Sequence, residues 1–230
     1  MEDSNFWYLE NIDLTTILCP IKLGMEMDTH EYSSFKKGEY IYLQNDESKN
    51  IYFIASGQVK IGKMAEGGKE ITKIILGKGE VFGEFAVLGE DGKKEYAQAM
   101  EDTKLCVTNS EDIKKLMREH TQLSLLFLKM FRSRLLKMEH RLESLVFKDS
   151  RSRILEFIVD EVNSHGSRVG YEWVVRNGLT HQEIANLTAT SRQTVTTIMN
   201  ELRNENVMTF NRKRWLIRDL DVLKQISNSQ

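Results

Sequence analysis

Two short segments of this 230-residue chain carry side chains suited to reading a nucleic acid. Thr180-His181-Gln182-Glu183 has the form of a capping box, in which a hydroxyl and a carboxylate three residues on satisfy each other's backbone N–H groups at a helix start. Thr190-Ser191-Arg192-Gln193 has the same form. Two helix starts ten residues apart leave room for two turns of helix and a tight bend, the spacing of a helix-turn-helix. The first turn of the second helix would then face base edges. Arg192 offers a planar fork matched to O6 and N7 of guanine, and Gln193 an amide suited to N6 and N7 of adenine. Ser191 and Thr194 are placed for phosphates, and Thr180, His181, Gln182, Thr196 and Thr197 complete the candidate surface. Beyond them, Val207–Phe210 and Trp215–Ile217 read as a hairpin around Asn211-Arg212-Lys213-Arg214, a wing whose basic tip makes Lys213 and Arg214 further candidates. Between Thr188 and Arg218, Arg192, Arg203, Arg212, Lys213, Arg214 and Arg218 are opposed only by Glu201 and Glu205.

This local excess is hidden in the whole. The formal charge is −2, with residues 150–230 carrying +2 and the remainder −4. At 40% hydrophobic and 29% charged residues the chain has the composition of a globular protein able to bury a core. Cys19 and Cys106 form no CxxC motif and the size requires no disulfide, so a reducing compartment is expected. The start, Met1-Glu2-Asp3, is acidic where a signal peptide would be basic, and the most apolar stretch, Leu123–Phe131, is short and broken by Lys129. A cytoplasmic protein with no membrane partner is the expectation.

Three styles of sequence must position these side chains. From about Tyr32 to Val107 short strands, Tyr40–Leu43, Ile51–Ile54, Gln58–Ile61, Ile71–Leu76 and Leu105–Val107, alternate with breaks at Gly38, Gly57, Gly67-Gly68, Gly77, Gly79 and Gly83, a pattern of an antiparallel barrel or roll. Glu111-Asp112 open a helical segment, and a longer helix runs from about Leu123 to Phe147. Along it Leu128, Phe131, Leu135, Met138, Leu142 and Leu145 follow the 3-4 spacing of a coiled-coil seam, hence a dimer interface. Leu125, Phe127, Leu136 and Val146 leave open that the helix also packs on its own β-domain. An amphipathic helix (Ile154, Leu155, Ile158, Val159, Val162) and a strand near Tyr171–Val175 then lead into the helix pair, whose angle Ile184, Ala185, Leu187, Val195, Ile198 and Leu202 would fix. The expected fold class is α+β, with a β-roll sensor domain over 1–122, a dimerisation helix and hinge over 123–149, and a winged helix-turn-helix over 150–230.

Together these segments resemble the Crp/Fnr family of bacterial transcription regulators over almost the whole chain. Leu179–Ala185 followed by Thr190–Val195 is similar to the family's helix-turn-helix, Gly79-Glu80-Val81-Phe82-Gly83-Glu84-Phe85 to the turn that cradles a cyclic phosphate in nucleotide-binding members, and Leu145–Asp149 to the end of the dimerisation helix and its hinge. The resemblance implies an N-terminal jelly roll of the cyclic-nucleotide-binding type and a homodimer acting on double-stranded DNA with an inverted-repeat operator. RNA polymerase is the implied further partner.

The effector site departs from the family's pattern. The resemblance places candidates at Gly83, Glu84, Phe85, Lys94, Glu95, Tyr96, Met138 and Glu139, but cyclic-AMP receptors need an Arg-Ser pair downstream of the Gly-Glu turn, and here that place holds Lys94-Glu95 or, with one inserted residue, Glu95-Tyr96. Either register puts a carboxylate where the phosphate would sit. The Thr-Ser pair expected on the long helix is Met138-Glu139. Glu84 could bind a ribose hydroxyl or simply stabilise its turn. Two cysteines are too few for an iron–sulfur sensor; as haem ligands, His140 falls at an outward f position of the heptad and His30 and His120 have no partner at ligand spacing; and each cysteine is read as a buried thiol rather than an oxidation sensor. No metal or cofactor is expected, and the effector, if any, is not specified. An enzyme of the cupin type would need closely spaced histidines that the five present do not supply, so no catalytic site is expected. A regulatory module acting on a protein partner would explain the β-roll but not residues 180–218.

Overall fold

The computed structural model describes residues 31–47, 49–65, 70–89, 93–176, 179–211 and 214–228. Cys19, His30, the Gly67-Gly68 turn, Arg212 and Lys213 lie outside the described residues. The chain forms two compact units, 1–130 and 131–230.

The first unit is built on β3 (Asn50–Ser56), whose Ile51, Tyr52, Phe53 and Ile54 are all buried. A strand with apolar residues on both faces must be covered twice. One cover is sheet on sheet. The strands β1 (Glu31–Phe35), β2 (Tyr40–Tyr42), β4 (Val59–Met64), β5 (Glu70–Leu76), β6 (Val81–Phe82), β7 (Tyr96–Ala99) and β8 (Thr103–Asn109) join β3 in two antiparallel sheets, ordered β1-β8-β3-β6 and β2-β7-β4-β5. Tyr52, Ile54, Val59, Ile61 and Leu105 fill the space between them. The other cover is a 3-10 helix, Glu84–Leu88, and helix α1 (Ser110–Glu119), which pack over β3 and β8. Gly57 reverses the chain between β3 and β4 at φ +93°, and a Cβ there would stand 2.4 Å from Thr103 Oγ1, so only glycine fits. Strands β1, β6 and β7 extend the roll beyond the segments that periodicity marks.

Helix α2 (Thr121–Phe147) is continuous. Its first turns bury Leu123 and Phe127, whereas Leu128, Leu135, Met138, Leu142 and Leu145 stay between 41% and 65% exposed and Phe131 is half-buried. Among the described residues no helix is long and apolar enough to cross a membrane.

The second unit adds α3 (Ser150–His165), capped by Asp149, whose side chain accepts from the Ser152 N–H; this bond holds the Asp149 carboxyl below its ordinary range. Strands β9 (Gly166–Val169), β10 (Glu172–Val175), β11 (Met208–Phe210) and β12 (Trp215–Ile217) form one antiparallel sheet ordered β11-β12-β10-β9, and α4 (His181–Thr188), α5 (Arg192–Asn204) and α6 (Leu220–Asn228) complete the unit. Ile154, Ile158, Ile184, Val195, Met199 and Trp215 are the centre of its core.

Candidate nucleic-acid interface

Helix α4 starts as its sequence demands. Thr180 Oγ1 accepts from the Glu183 N–H at 3.2 Å while Glu183 Oε2 accepts from the Thr180 N–H at 2.7 Å, a complete capping box. The second box is displaced by one residue from the expected Thr190–Gln193. Ser191 is the cap of α5 and accepts from the Thr194 N–H at 3.0 Å, with the Thr194 hydroxyl 2.8 Å away. The cause is the turn itself: Ala189 adopts the left-handed conformation (φ 50°, ψ 49°), and the Thr190 N–H is drawn back to the Ala185 carbonyl at 2.9 Å. Thr190 therefore belongs to the bend, and the helix begins after Ser191.

Arg192, Gln193 and Thr197 are exposed on α5, and the Arg192 guanidinium makes no hydrogen bond or ion pair with another described residue. Gln182 is exposed on α4 and donates to Asn186 Oδ1. At the wing, Arg214 is exposed and its N–H donates to Asn211 Oδ1 at 3.0 Å. Lys213 lies outside the described residues. Two candidates are structural as well as accessible. The Thr196 hydroxyl donates to the Arg192 carbonyl and meets His181 Nδ1 at 2.8 Å, and the His181 ring leans on Phe210 of the wing at 5.6 Å. His181 thus fastens α4, α5 and β11 together. Arg203 lies over the other end of this cluster, 5.2 Å from the Phe210 ring.

In the roll, the effector candidates are dispersed. Gly83 (φ +76°) is packed so that a Cβ would meet the Asn50 carbonyl at 2.7 Å, and Glu84 beside it is buried. Phe85 and Lys94 are exposed, Glu95 is held by Lys73 at 2.7 Å, and Tyr96 donates to Glu70. Because side chains alternate along a strand, Tyr96 lies on the face of β7 opposite Ala97, which belongs to the core between the sheets. The ammonium of Lys93 also meets the Gly83-Glu84 turn. It lies 5.2 Å from the Tyr42 ring centre and 6.0 Å from that of Tyr52, donates to the Asn50 carbonyl at 3.2 Å, and faces the Glu84 carboxylate. Burial lowers its pKa, against the opposing pull of Glu84 and Glu95. Sequence reasoning missed Lys93; the signal available was a second lysine directly before Lys94, ahead of the strand Tyr96–Ala99. Met138 and Glu139 are exposed on α2.

Burial first, and then the charge of Arg192, hold His181 below the ordinary histidine range. The unfolded chain therefore binds the proton more readily than the folded one, and stability from this group is present above the unfolded value near 6.5 and lost as pH falls through it towards the folded value. An NMR titration of the His181 ring is expected to give a midpoint below 6.5, and His181→Gln to reduce the fall in melting temperature between about pH 7 and pH 5. A midpoint at or above 6.5 contradicts this reading of the cluster.

Residues 32–120 match the family model of the cyclic nucleotide-binding domain, and residues 152–226 that of the Crp-like helix-turn-helix domain. The chain is 29% identical over 206 residues to the global nitrogen regulator of Synechocystis sp., covering 89% of this chain and 92% of that one. It is 28% identical over 210 residues to the cyclic AMP receptor protein of Thermus thermophilus, covering 91% and 94%. Among solved structures, a mutant of CooA from Carboxydothermus hydrogenoformans superposes with a TM-score of 0.76 at 26% identity, over 95% of this chain and 97% of the other. A roll of this topology, a helix-turn-helix on a winged sheet, and relatives that match both across nearly their full lengths lead to one assignment: the chain belongs to the Crp/Fnr family of DNA-binding transcription regulators.

Proposed function

We propose that the protein acts as a homodimer on an inverted-repeat operator, with α5 in the major groove and Arg192 and Gln193 reading bases. The observation that carries this reading is the exposed first turn of α5, where Arg192 is unpaired among the described residues while its neighbours Ser191, Thr194 and Thr196 fix the helix start. A twofold dimer presents two such helices, so half-site centres stand about 34 Å apart. Ser191, Thr194, Thr180 and the wing residues Lys213 and Arg214 supply phosphate contacts that set position rather than sequence. RNA polymerase is the onward partner, the cytoplasm the place of action, and no catalysis is involved. Selection of genomic fragments by the purified protein is expected to return an inverted repeat. On that sequence Arg192→Ala is expected to lose roughly 1–3 kcal/mol and to relax preference at one base pair per half-site. Full discrimination at every position in Arg192→Ala would remove Arg192 from base reading.

The dimer rests on the exposed apolar stripe of α2, in which Leu128, Leu135, Met138 and Leu142 are each more than half exposed in the single chain. Their 3-4 spacing suits a second copy of the same helix. Carboxylates placed in that seam would be buried without partners, at a cost of several kcal/mol. Leu135→Glu with Met138→Glu is expected to sediment as a monomer; a dimer would refute the seam.

The roll is read as controlled by an unidentified effector or as competent without one, and not by cyclic AMP. The guanidinium–hydroxyl pair for a cyclic phosphate is absent from the positions that the family pattern assigns, and the Lys93 ammonium near the turn is already engaged by Asn50, Tyr42 and Tyr52. Each missing charge-assisted bond costs about 1.5–3 kcal/mol. Calorimetry is expected to find no cyclic-AMP binding tighter than about millimolar, and a low-micromolar constant would overturn this part.

A further inference from the structure

Helix α4 has only eight residues, so its last carbonyls have no partner within the helix. The bend that follows uses one of them, since the Ala189 and Thr190 N–H groups both turn back to the Ala185 carbonyl. Two others, and the carbonyl of the cap residue Ala189, are met by two arginines from outside the helix-turn-helix. Arg141, on α2, donates from Nη2 to the Asn186 carbonyl at 2.8 Å. Arg153, on α3, donates from Nε to the Thr188 carbonyl at 3.0 Å and from Nη2 to the Ala189 carbonyl at 3.2 Å. The same guanidinium donates from Nη1 to the Lys148 carbonyl at 2.8 Å, just past the end of α2, so Arg153 joins the last turn of α2 to the last turn of α4. Guanidinium groups at these carbonyls also oppose the negative end of the α4 dipole. Arg141 is followed one turn later on α2 by Ser144 and, just past the end of the helix, by Lys148, both bonded to Glu156 of α3, so the last turns of this face are engaged.

We propose that Arg141 and Arg153 form a clamp on the carbonyl end of α4, and that they are the positioning residues through which the setting of α2 reaches the recognition helix α5. The reasoning is one of rigid connection. The clamp fixes the bend 189–191, the bend fixes the Ser191 cap, and the cap fixes where Arg192 points. Arg141 is half-buried, and that burial lowers its pKa. The proposal rests on the DNA-binding reading given above and adds to it the route by which α2 acts.

The test uses the full chain. Arg141→Met keeps the aliphatic stem and removes the donors; Arg141→Lys restores a donor; Arg153→Met removes the second half of the clamp. Amide hydrogen exchange over residues 186–195 is expected to quicken about tenfold or more in both Met variants, with the strands of the roll unchanged and Arg141→Lys lying between Met and wild type. Affinity for the best selected DNA fragment should fall by a similar factor, while sedimentation still shows a dimer. Wild-type exchange in Arg141→Met overturns the clamp. So does weaker DNA binding with unchanged exchange, which would make the arginine a direct DNA contact, and so does quicker exchange without loss of affinity, which would leave it structural only. If Arg141→Met loses protection everywhere, the decision falls to Arg141→Lys and Arg153→Met. A wild-type protein that selects no DNA would refute the DNA-binding reading, while the exchange measurements would still decide whether the clamp exists.

Discussion

A helix can bury apolar residues on one face only if its other face has somewhere else to be, and in this protein α2 meets that constraint twice. Its first turns place Leu123 and Phe127 in the core of the β-unit, and its later turns place Arg141 and Ser144, with Lys148 just beyond them, against α3 and α4. What remains is the outward row from Leu128 to Leu145, too regular and too apolar to be left in water without consequence. Much of the second unit follows from this double placement. Glu156 gathers Ser144 Oγ and Lys148 Nζ, with His140 Nε2 at 3.5 Å; burial alone would raise its pKa, and the donated hydrogen bonds reverse the shift. Asp149 turns the chain and starts α3, and Arg151 pairs with Glu201 so that α5 is held to the same helix.

The roll shows a comparable economy inside. A lysine in an interior is costly unless its charge is met, and Lys93 is met by two aromatic faces, a carbonyl and a carboxylate. The rings are themselves ordered, Tyr52 stacking on Phe82 at 4.9 Å with planes 10° apart. The backbone of Lys93 is fixed too, bonded to Asn45 and Asp46 in the turn after β2. The strand that follows, β7, is thus anchored at its entry by a charge rather than by an apolar side chain, and Gly83 is required because the ammonium and the Asn50 carbonyl occupy the space a side chain would take.

What could be read from residues alone divides along physical lines. The helix-turn-helix was legible because caps, a 3.6-residue period and a ten-residue spacing are local and chemically specific. The one-residue displacement of the second cap was not, because Thr190 and Ser191 are equally good caps and only the left-handed Ala189 decides between them. Strands β3, β4 and β5 announce themselves by β-branched and aromatic residues; β7, Tyr96-Ala97-Gln98-Ala99, does not, since alanine and glutamine favour helix and the strand exists through pairing with β2 and β4. The same holds for the sites. Arg192 and Gln193 stand where their positions in the motif suggest. Counting from the motif brings Glu95 to the effector site, but a count cannot register its partner Lys73 across the sheet. Arg141 and Arg153 belong to no motif, and their partners are main-chain carbonyls of a helix 35 or more residues away, which no local pattern marks.

The carbonyls at the end of α4 have one more implication, for inheritance rather than for mechanics. A contact between two side chains can be lost by substitution at either partner and regained at the other, so its history is written in both positions. Here the acceptors are the main chain of Asn186, Thr188 and Ala189, which every residue supplies alike. Those three positions are free to drift as far as this joint is concerned, while the donors are not. Comparison of pairs of positions that change together would pass over the joint altogether, and its trace would be found only as constancy at Arg141 and Arg153.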